Sequence, residues 1–195
     1  MEIKEMLERY PFLQYRNIFT NEPIYKTEEE NIRRNYYTEW DGYGWEKLWK
    51  KYLEKLFYLY DNKWSEEAKK RFRFTEIKEK YGTLRIYTSL TDTEESLEMK
   101  AEMLSAWTCE QCGKEPRDSR GRRLIWRSSG WIGNYCKECF KKEFGNDKEY
   151  LHNCRHVKKS LFSVRHFESG KQSIILYKEK DGWLEKERTE TIWSD

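Results

Sequence analysis

Four of the five cysteines in this chain fall into two Cys-x-x-Cys pairs, Cys109/Cys112 and Cys136/Cys139. Each pair can grip one metal ion from a tight turn, and two such pairs facing each other complete a tetrahedral four-thiolate site. Gly113, directly after Cys112, suits the positive φ that such a turn requires. Four thiolates leave no position open for water or substrate, so the spacing points to one structural Zn2+ rather than a catalytic one. The intervening residues 113–135 are slightly more than the usual zinc-ribbon spacing, which a longer hairpin between the turns would absorb. Two disulfides are the competing chemistry. They are disfavoured because the sequence starts without a recognisable signal peptide and has no apolar run able to span a membrane, so a cytoplasmic location is the expectation.

Other chemistry is sparse. The three histidines are His152, His156 and His166. His152 and His156 stand four apart on an expected helix, where two imidazoles could share a face and hold a second metal, but no acidic motif nearby completes such a site. A zinc-ribbon nuclease of the His-Asn-His type would carry catalytic residues between the cysteine pairs. Residues 113–135 contain no histidine, and Asn134 alone cannot activate water. Phosphate-loop and dinucleotide glycine patterns are absent. No enzyme is expected.

Binding is the remaining class, and charge and aromatic content say where. The net charge is only +3, yet residues 107–165 hold twice as many Lys and Arg as Asp and Glu, so the basic charge sits around the cysteines. Arg122, Arg123 and Arg127 are interleaved with Trp126 and Trp131, a combination in which guanidinium groups contact phosphates or acidic surfaces and an indole stacks or anchors. The chain is unusually aromatic, with nine Trp, fourteen Tyr and nine Phe. Aromatics build a core from few positions, and the surplus favours interfaces.

The elements that must position these groups follow from periodicity. Residues 2–9 are predicted helical, ending before Pro11, and residues 11–40 are irregular with at most one short helix. Trp45, Leu48, Trp49, Tyr52, Leu53, Leu56, Phe57 and Tyr60 form one apolar stripe on a long helix. A hairpin follows over residues 72–90, with Phe72, Phe74 and Glu76 on one face and Arg73, Thr75 and Ile77 on the other. Thr91 or Asp92 is expected to cap a helix reaching Trp107. Leu124–Arg127 and Trp131–Tyr135 read as the two strands between the cysteine pairs. A basic segment runs to Gly145, and Asp147 caps a further helix to about Lys158. Three strands, 161–167, 173–180 and 183–193, close the chain, the last two joined by the hairpin dipeptide Asp181-Gly182.

Several segments together resemble a family of small uncharacterised proteins of tailed phages, prophages and bacteria. They are the Trp/Gly-rich lead-in Trp40 to Trp45, the hairpin Ile77 to Tyr87, the turn Thr108-Cys109-Glu110-Gln111-Cys112-Gly113, and Gly130-Trp131-Ile132 running into Cys136. The likeness covers roughly residues 40–145. Where the family pattern often ends in Cys-x-x-His, this chain has Cys139. The resemblance implies the fold, the zinc and a mobile-element origin, but no activity. The resulting expectation is an α+β protein: a helical and hairpin region over 1–107, a four-cysteine zinc ribbon over 108–145, and a helix plus three-stranded antiparallel meander over 146–195. It acts by holding a host or phage protein as an inhibitor or adaptor, for example against a bacterial defence system. DNA or RNA binding through residues 114–127 is the alternative. No membrane partner and no small-molecule substrate are expected.

Overall fold

The computed structural model describes residues 1–90, 96–145, 151–156, 161–168 and 171–194. In chain order it runs α1 (Ile3–Arg9), a short 3-10 helix (Pro11–Leu13), α2 (Glu28–Arg33), α3 (Glu46–Asn62), α4 (Glu66–Arg71), β1 (Phe74–Lys80), β2 (Thr83–Thr88) and α5 (Leu97–Ser105). There follow β3 (Leu124–Ser128), β4 (Asn134–Tyr135), α6 (Lys137–Phe144), β5 (Leu151–His156), β6 (Leu161–Glu168), β7 (Lys171–Lys180) and β8 (Trp183–Ser194). The strands form three antiparallel sheets, ordered β1-β2, β4-β3-β5 and β6-β7-β8. Mixed helix and antiparallel sheet is therefore the fold class. Among the described residues, no helix is long and apolar enough to cross a membrane.

The stripe on α3 organises the larger core. Trp45, Leu48, Trp49, Tyr52, Leu53 and Leu56 are all buried, with Phe57 and Tyr60 packed at the margin. Burying each large apolar side chain contributes roughly 2 kcal/mol. Leu7, Phe12 and Leu13 close one side of this core, Phe74, Leu84 and Ile86 of the hairpin another, and Ala101 and Leu104 of α5 a third. Phe162, Ile175, Tyr177, Trp183 and Leu184 of the C-terminal meander belong to the same cluster. Two buried polar groups find partners, as they must in a dry core. Trp49 Nε1 donates to the Tyr36 carbonyl at 3.0 Å, and the Tyr52 hydroxyl donates to Glu98 at 2.8 Å.

Two of the described hairpin turns put consecutive residues at positive φ, Tyr81 (55°) with Gly82 (73°) and Asp181 (51°) with Gly182 (70°). That backbone matches the right-handed twist of the strands it joins.

Three local expectations are corrected, and two helices, α4 and α6, are additional. A bulge between Phe74 and Glu76 shifts the phase of β1, so Ile77 joins Phe74 in packing on the core and Glu76 is exposed. Ser96, not Thr91 or Asp92, caps α5, its side chain accepting from the Met99 N–H; residues 91–95 lie outside the described residues. Helix α4 was not anticipated, although Ser65 caps it and acidic Glu66 and Glu67 precede basic Lys69, Lys70 and Arg71. The basic segment after Cys136 is helix α6, with Cys136 at its N-cap. The helix expected over 147–158 is instead strand β5, paired with β3 from Leu124↔His156 to Ser128↔Leu151; Asp147 and Lys158 lie outside the described residues. The free edge of β3 supplies a ladder of hydrogen bonds that outweighs a weak local preference.

The meander is fastened by a buried ion pair. Arg123, only 3% exposed, donates from Nε and Nη2 to both carboxylate oxygens of Glu179 on β7, at 2.9 and 2.6 Å. Its Nη2 also reaches Glu115 at 3.0 Å, and Arg117 adds a contact to Glu179 at 3.1 Å. Burial pushes the Glu179 carboxyl up, but the hydrogen bonds and charges of Arg123 and Arg117 outweigh it, and the net shift is below the ordinary 4.5. As pH falls, the unfolded chain therefore takes up this proton before the folded chain does. The stability from the pair is complete above about pH 4.5 and is lost as pH falls through the depressed folded value. Glu179→Gln is expected to cost about 3 kcal/mol at neutral pH, since it leaves the buried guanidinium with only the partly exposed Glu115 carboxylate. Urea titrations should show the cost shrinking as pH falls below about 4.5. A cost that stays constant with pH would contradict this role.

Candidate metal centre

The first cysteine turn is built by its backbone. The Gly113 N–H donates to the Cys109 carbonyl at 2.9 Å with Gly113 at φ 69°, and the Cys109 N–H donates to the Lys114 carbonyl at 2.9 Å. The second turn is the start of α6, where the Cys136 sulfur accepts from the Cys139 N–H at 3.4 Å. The first turn is closed by backbone-to-backbone hydrogen bonds, and the second by a backbone N–H on sulfur.

These turns bring together all four sequence-predicted ligands. The sulfurs of Cys109, Cys112, Cys136 and Cys139 all lie within 4.8 Å of one another, with Cys112 and Cys136 3.7 Å apart. A tetrahedron with metal–sulfur bonds of about 2.3 Å has sulfur–sulfur edges of about 3.8 Å. The same separations are far too long for disulfides, which need about 2.05 Å, and the thiols are free. The set fits a metal ion. Cys109 and Cys136 are buried and Cys112 is exposed, so the cluster meets solvent along one edge.

Ionisation differs among the Cys112, Cys136 and Cys139 thiols. Burial pushes the Cys136 thiol well up and takes Cys139 to about 11. At Cys112 burial also pushes up, but the Lys114 backbone N–H and the neighbouring thiols outweigh it, and the net shift is downward.

Around the cysteines sits a second, small core of Tyr135, Phe140, Trp126 and Phe144. Trp126 meets Phe140 at 5.4 Å between ring centroids, and Lys137 lies over the Trp126 ring at 5.9 Å. The module is also tied to the larger core through close backbone approaches. The Gly44 N–H donates to the Glu110 carbonyl at 3.0 Å, and a side chain at Gly44 would collide with the Cys109 and Glu110 backbone. The Glu110 N–H donates to the Asn134 carbonyl at 3.0 Å, and Asn134 Nδ2 donates to the Gly82 carbonyl at 2.5 Å. Asn134 thus links the cysteine module to the hairpin turn. Gly44 and Asn134 were not anticipated as organising residues. The sequence signal for Gly44 was its place in the Trp/Gly-rich lead-in, but nothing local reveals what it must clear.

The residues expected to contact a partner are not brought together as one surface. Arg123 is corrected outright, because its guanidinium is buried against Glu179 and Glu115. Arg122 pairs with Asp118 at 2.6 Å, and that hydrogen bond is the first cause holding the Asp118 carboxyl at about 2. Arg127 reaches the Tyr81 carbonyl at 3.4 Å. Trp126 is half-buried in the small core. Only Trp131 stands out of the fold, 83% exposed. His152, His156 and Cys154 lie on β5, whose backbone alone is described, so a second metal there falls outside the described residues.

No protein family, curated protein or solved structure matches this chain.

Gly44→Ala is expected to destabilise by about 3 kcal/mol, the upper range for overpacking, because backbone rather than a mobile side chain obstructs the new methyl. Denaturant titration checks it, and an unchanged midpoint would show that the lead-in can move aside.

Proposed function

We propose that this chain is a zinc-stapled, non-catalytic binding module that acts by holding another protein. The four-thiolate set supports zinc, which favours tetrahedral sulfur ligands, and such a saturated site has a structural role. Its residues would be Cys109, Cys112, Cys136 and Cys139, joining the start of α6 to the turn that ends at Gly113.

The observation that carries the binding reading is the presentation of Trp131. Its loop between β3 and β4 is held by the Ser128 hydroxyl, which donates to the Trp131 carbonyl at 2.6 Å and accepts from the Gly133 N–H at 2.8 Å. The Ser128 N–H donates to the Gly133 carbonyl at 3.1 Å. A large indole on a pre-ordered loop loses little entropy on association and is the residue type most enriched at interface hot spots. Meanwhile Arg117, Arg122 and Arg123 spend their charge on Glu179, Asp118 and Glu115, which weakens the case for phosphate contacts through residues 114–127. Exposed Lys141 and Lys142 on α6 favour nucleic acid as the second reading. The resemblance to proteins of phages and prophages makes an inhibitor or adaptor directed at a host or phage protein, such as one that neutralises a defence system, the concrete form of the first. It would act in the host cytoplasm.

Two experiments test this. Metal analysis of the purified protein is expected to find one zinc per chain. Cys112→Ser should lose it and unfold the cysteine module, since metal supplies on the order of 10 kcal/mol to such small units; retention of native stability after chelation would count against the staple. Affinity capture from bacterial lysate, with and without nuclease, should retain one protein in both samples. Trp131→Ala should release it with a loss of at least about 2 kcal/mol while leaving stability unchanged. Capture abolished by nuclease would instead favour nucleic acid.

A further inference from the structure

A cleft of about 300 Å³ opens between the short 3-10 helix and the loop after it, the end of α3, and helix α4 with the residues that follow it. Its lining carries four cations, Arg16, Lys69, Lys70 and Arg73, against one carboxylate, Glu66. That carboxylate holds only Lys69, at 2.8 Å. Arg16 donates to two neutral acceptors, the Asn21 carbonyl at 2.9 Å and Gln14 Oε1 at 3.3 Å, which orient the guanidinium without cancelling its charge. Exposed Lys70 and the half-buried Arg73 make no side-chain hydrogen bond or ion pair among the described residues.

Three positive charges therefore line one cleft without a counter-charge, and the buried Phe12 and Phe72 behind them make their surroundings less polar than open water. Arg73 Nε is buried with no acceptor, while the two terminal nitrogens of the same guanidinium keep contact with solvent. The loop that carries Arg16 is fixed in advance. Asn17 Oδ1 accepts from the Phe19 and Thr20 N–H groups at 2.8 and 3.1 Å, and the Asn17 N–H donates to the Glu22 carbonyl at 2.9 Å. An anion entering the cleft meets cations that need little ordering.

We propose that this cleft binds a phosphate monoester, held by Arg73, Arg16 and Lys70. The terminal nitrogens of Arg73 make the contact, and because the guanidinium charge is delocalised, the same contact offsets the charge shared by the buried Nε. A monoester carries close to two negative charges at neutral pH and three strong acceptor oxygens, which matches three unpaired cations better than the single charge of a carboxylate or a phosphodiester. A closed pocket also suits a terminal phosphate rather than a nucleic-acid backbone, which requires cations along a track. The site is built by other elements than the loop of Trp131, so it goes beyond the protein-binding reading without resting on it.

The test is titration calorimetry on the full-length, metal-loaded protein at low salt with three probes: inorganic phosphate, a terminally blocked Gly-phosphoserine-Gly peptide, and dimethyl phosphate as the singly charged comparison. Saturable binding of the first two is expected, at least about tenfold tighter than dimethyl phosphate. Arg73→Gln should weaken it about tenfold and Lys70→Gln about threefold, with unchanged circular dichroism. Glu66→Gln should strengthen it about threefold, since it removes the one carboxylate and frees Lys69. Lys47→Gln, exposed at the other end of α3 and roughly 20 Å along the helix from Tyr60, should leave it unchanged. No saturation, equal binding of dimethyl phosphate, indifference to Arg73→Gln and Glu66→Gln, or a loss in Lys47→Gln equal to that in Lys70→Gln would overturn the assignment. Among supporting results, tighter binding of the phosphopeptide than of inorganic phosphate assigns the group to a phosphorylated polypeptide, and equal binding assigns it to free phosphate or a small phosphorylated molecule.

Discussion

The backbone of Thr108, Cys109 and Glu110 is the surface on which the rest of the molecule closes. The Thr108 carbonyl accepts from Trp45 Nε1 at 3.4 Å, the Glu110 carbonyl accepts from the Gly44 N–H, and the Glu110 N–H donates to Asn134. One short segment therefore meets the start of the longest helix and the strand that leads into the second cysteine pair. Backbone can approach backbone this closely only where no side chain intervenes, which is why Gly44 stands where it does. The metal-ligand turn and the large core are consequently not separable pieces. Gathering the four cysteines also sets the position of α3, and through Asn134 the position of the β1-β2 turn.

Electrostatics completes the closure from the other side. The cysteine module is rich in cations, and an unpaired cluster of that kind would repel itself. Glu179, reaching in from β7, takes Arg123 in a side-on pair and Arg117 in a second contact. A buried pair of this kind is weak evidence for added stability over an apolar alternative, but it is demanding in geometry. It ties the meander to the module in one arrangement. The consequence is a division among the charged and aromatic groups: Arg123 and Arg117 are taken up in holding the fold, and the indole of Trp131 is left exposed.

Much of this is legible in the sequence. The Cys-x-x-Cys spacing depends on turns a few residues long, and such local geometry survives whatever the rest of the chain does. The α3 stripe repeats often enough for its period to be unmistakable, and Asp181-Gly182 carries its own backbone preference. Strand β5 was misread because its identity depends on an edge of β3 more than twenty residues earlier, not on its own residues. Helix α4 was missed despite a readable serine cap, since its six residues carry almost no apolar pattern. The bulge in β1 inverted the facing of Glu76 and Ile77, and alternation alone cannot signal one extra residue.

The sequence by itself determined which atoms can bind a metal, which helix forms the centre of the core and where the hairpins turn, because each depends on neighbours along the chain. Only the tertiary structure decided which charged and aromatic groups remain available. Arg123 and Trp131 look equally suited to contact in the sequence, yet one is buried against two carboxylates and the other stands in solvent. The difference arises from Glu179, fifty-six residues from Arg123. Pairing across such a separation is set by how whole elements pack, and no local pattern encodes it.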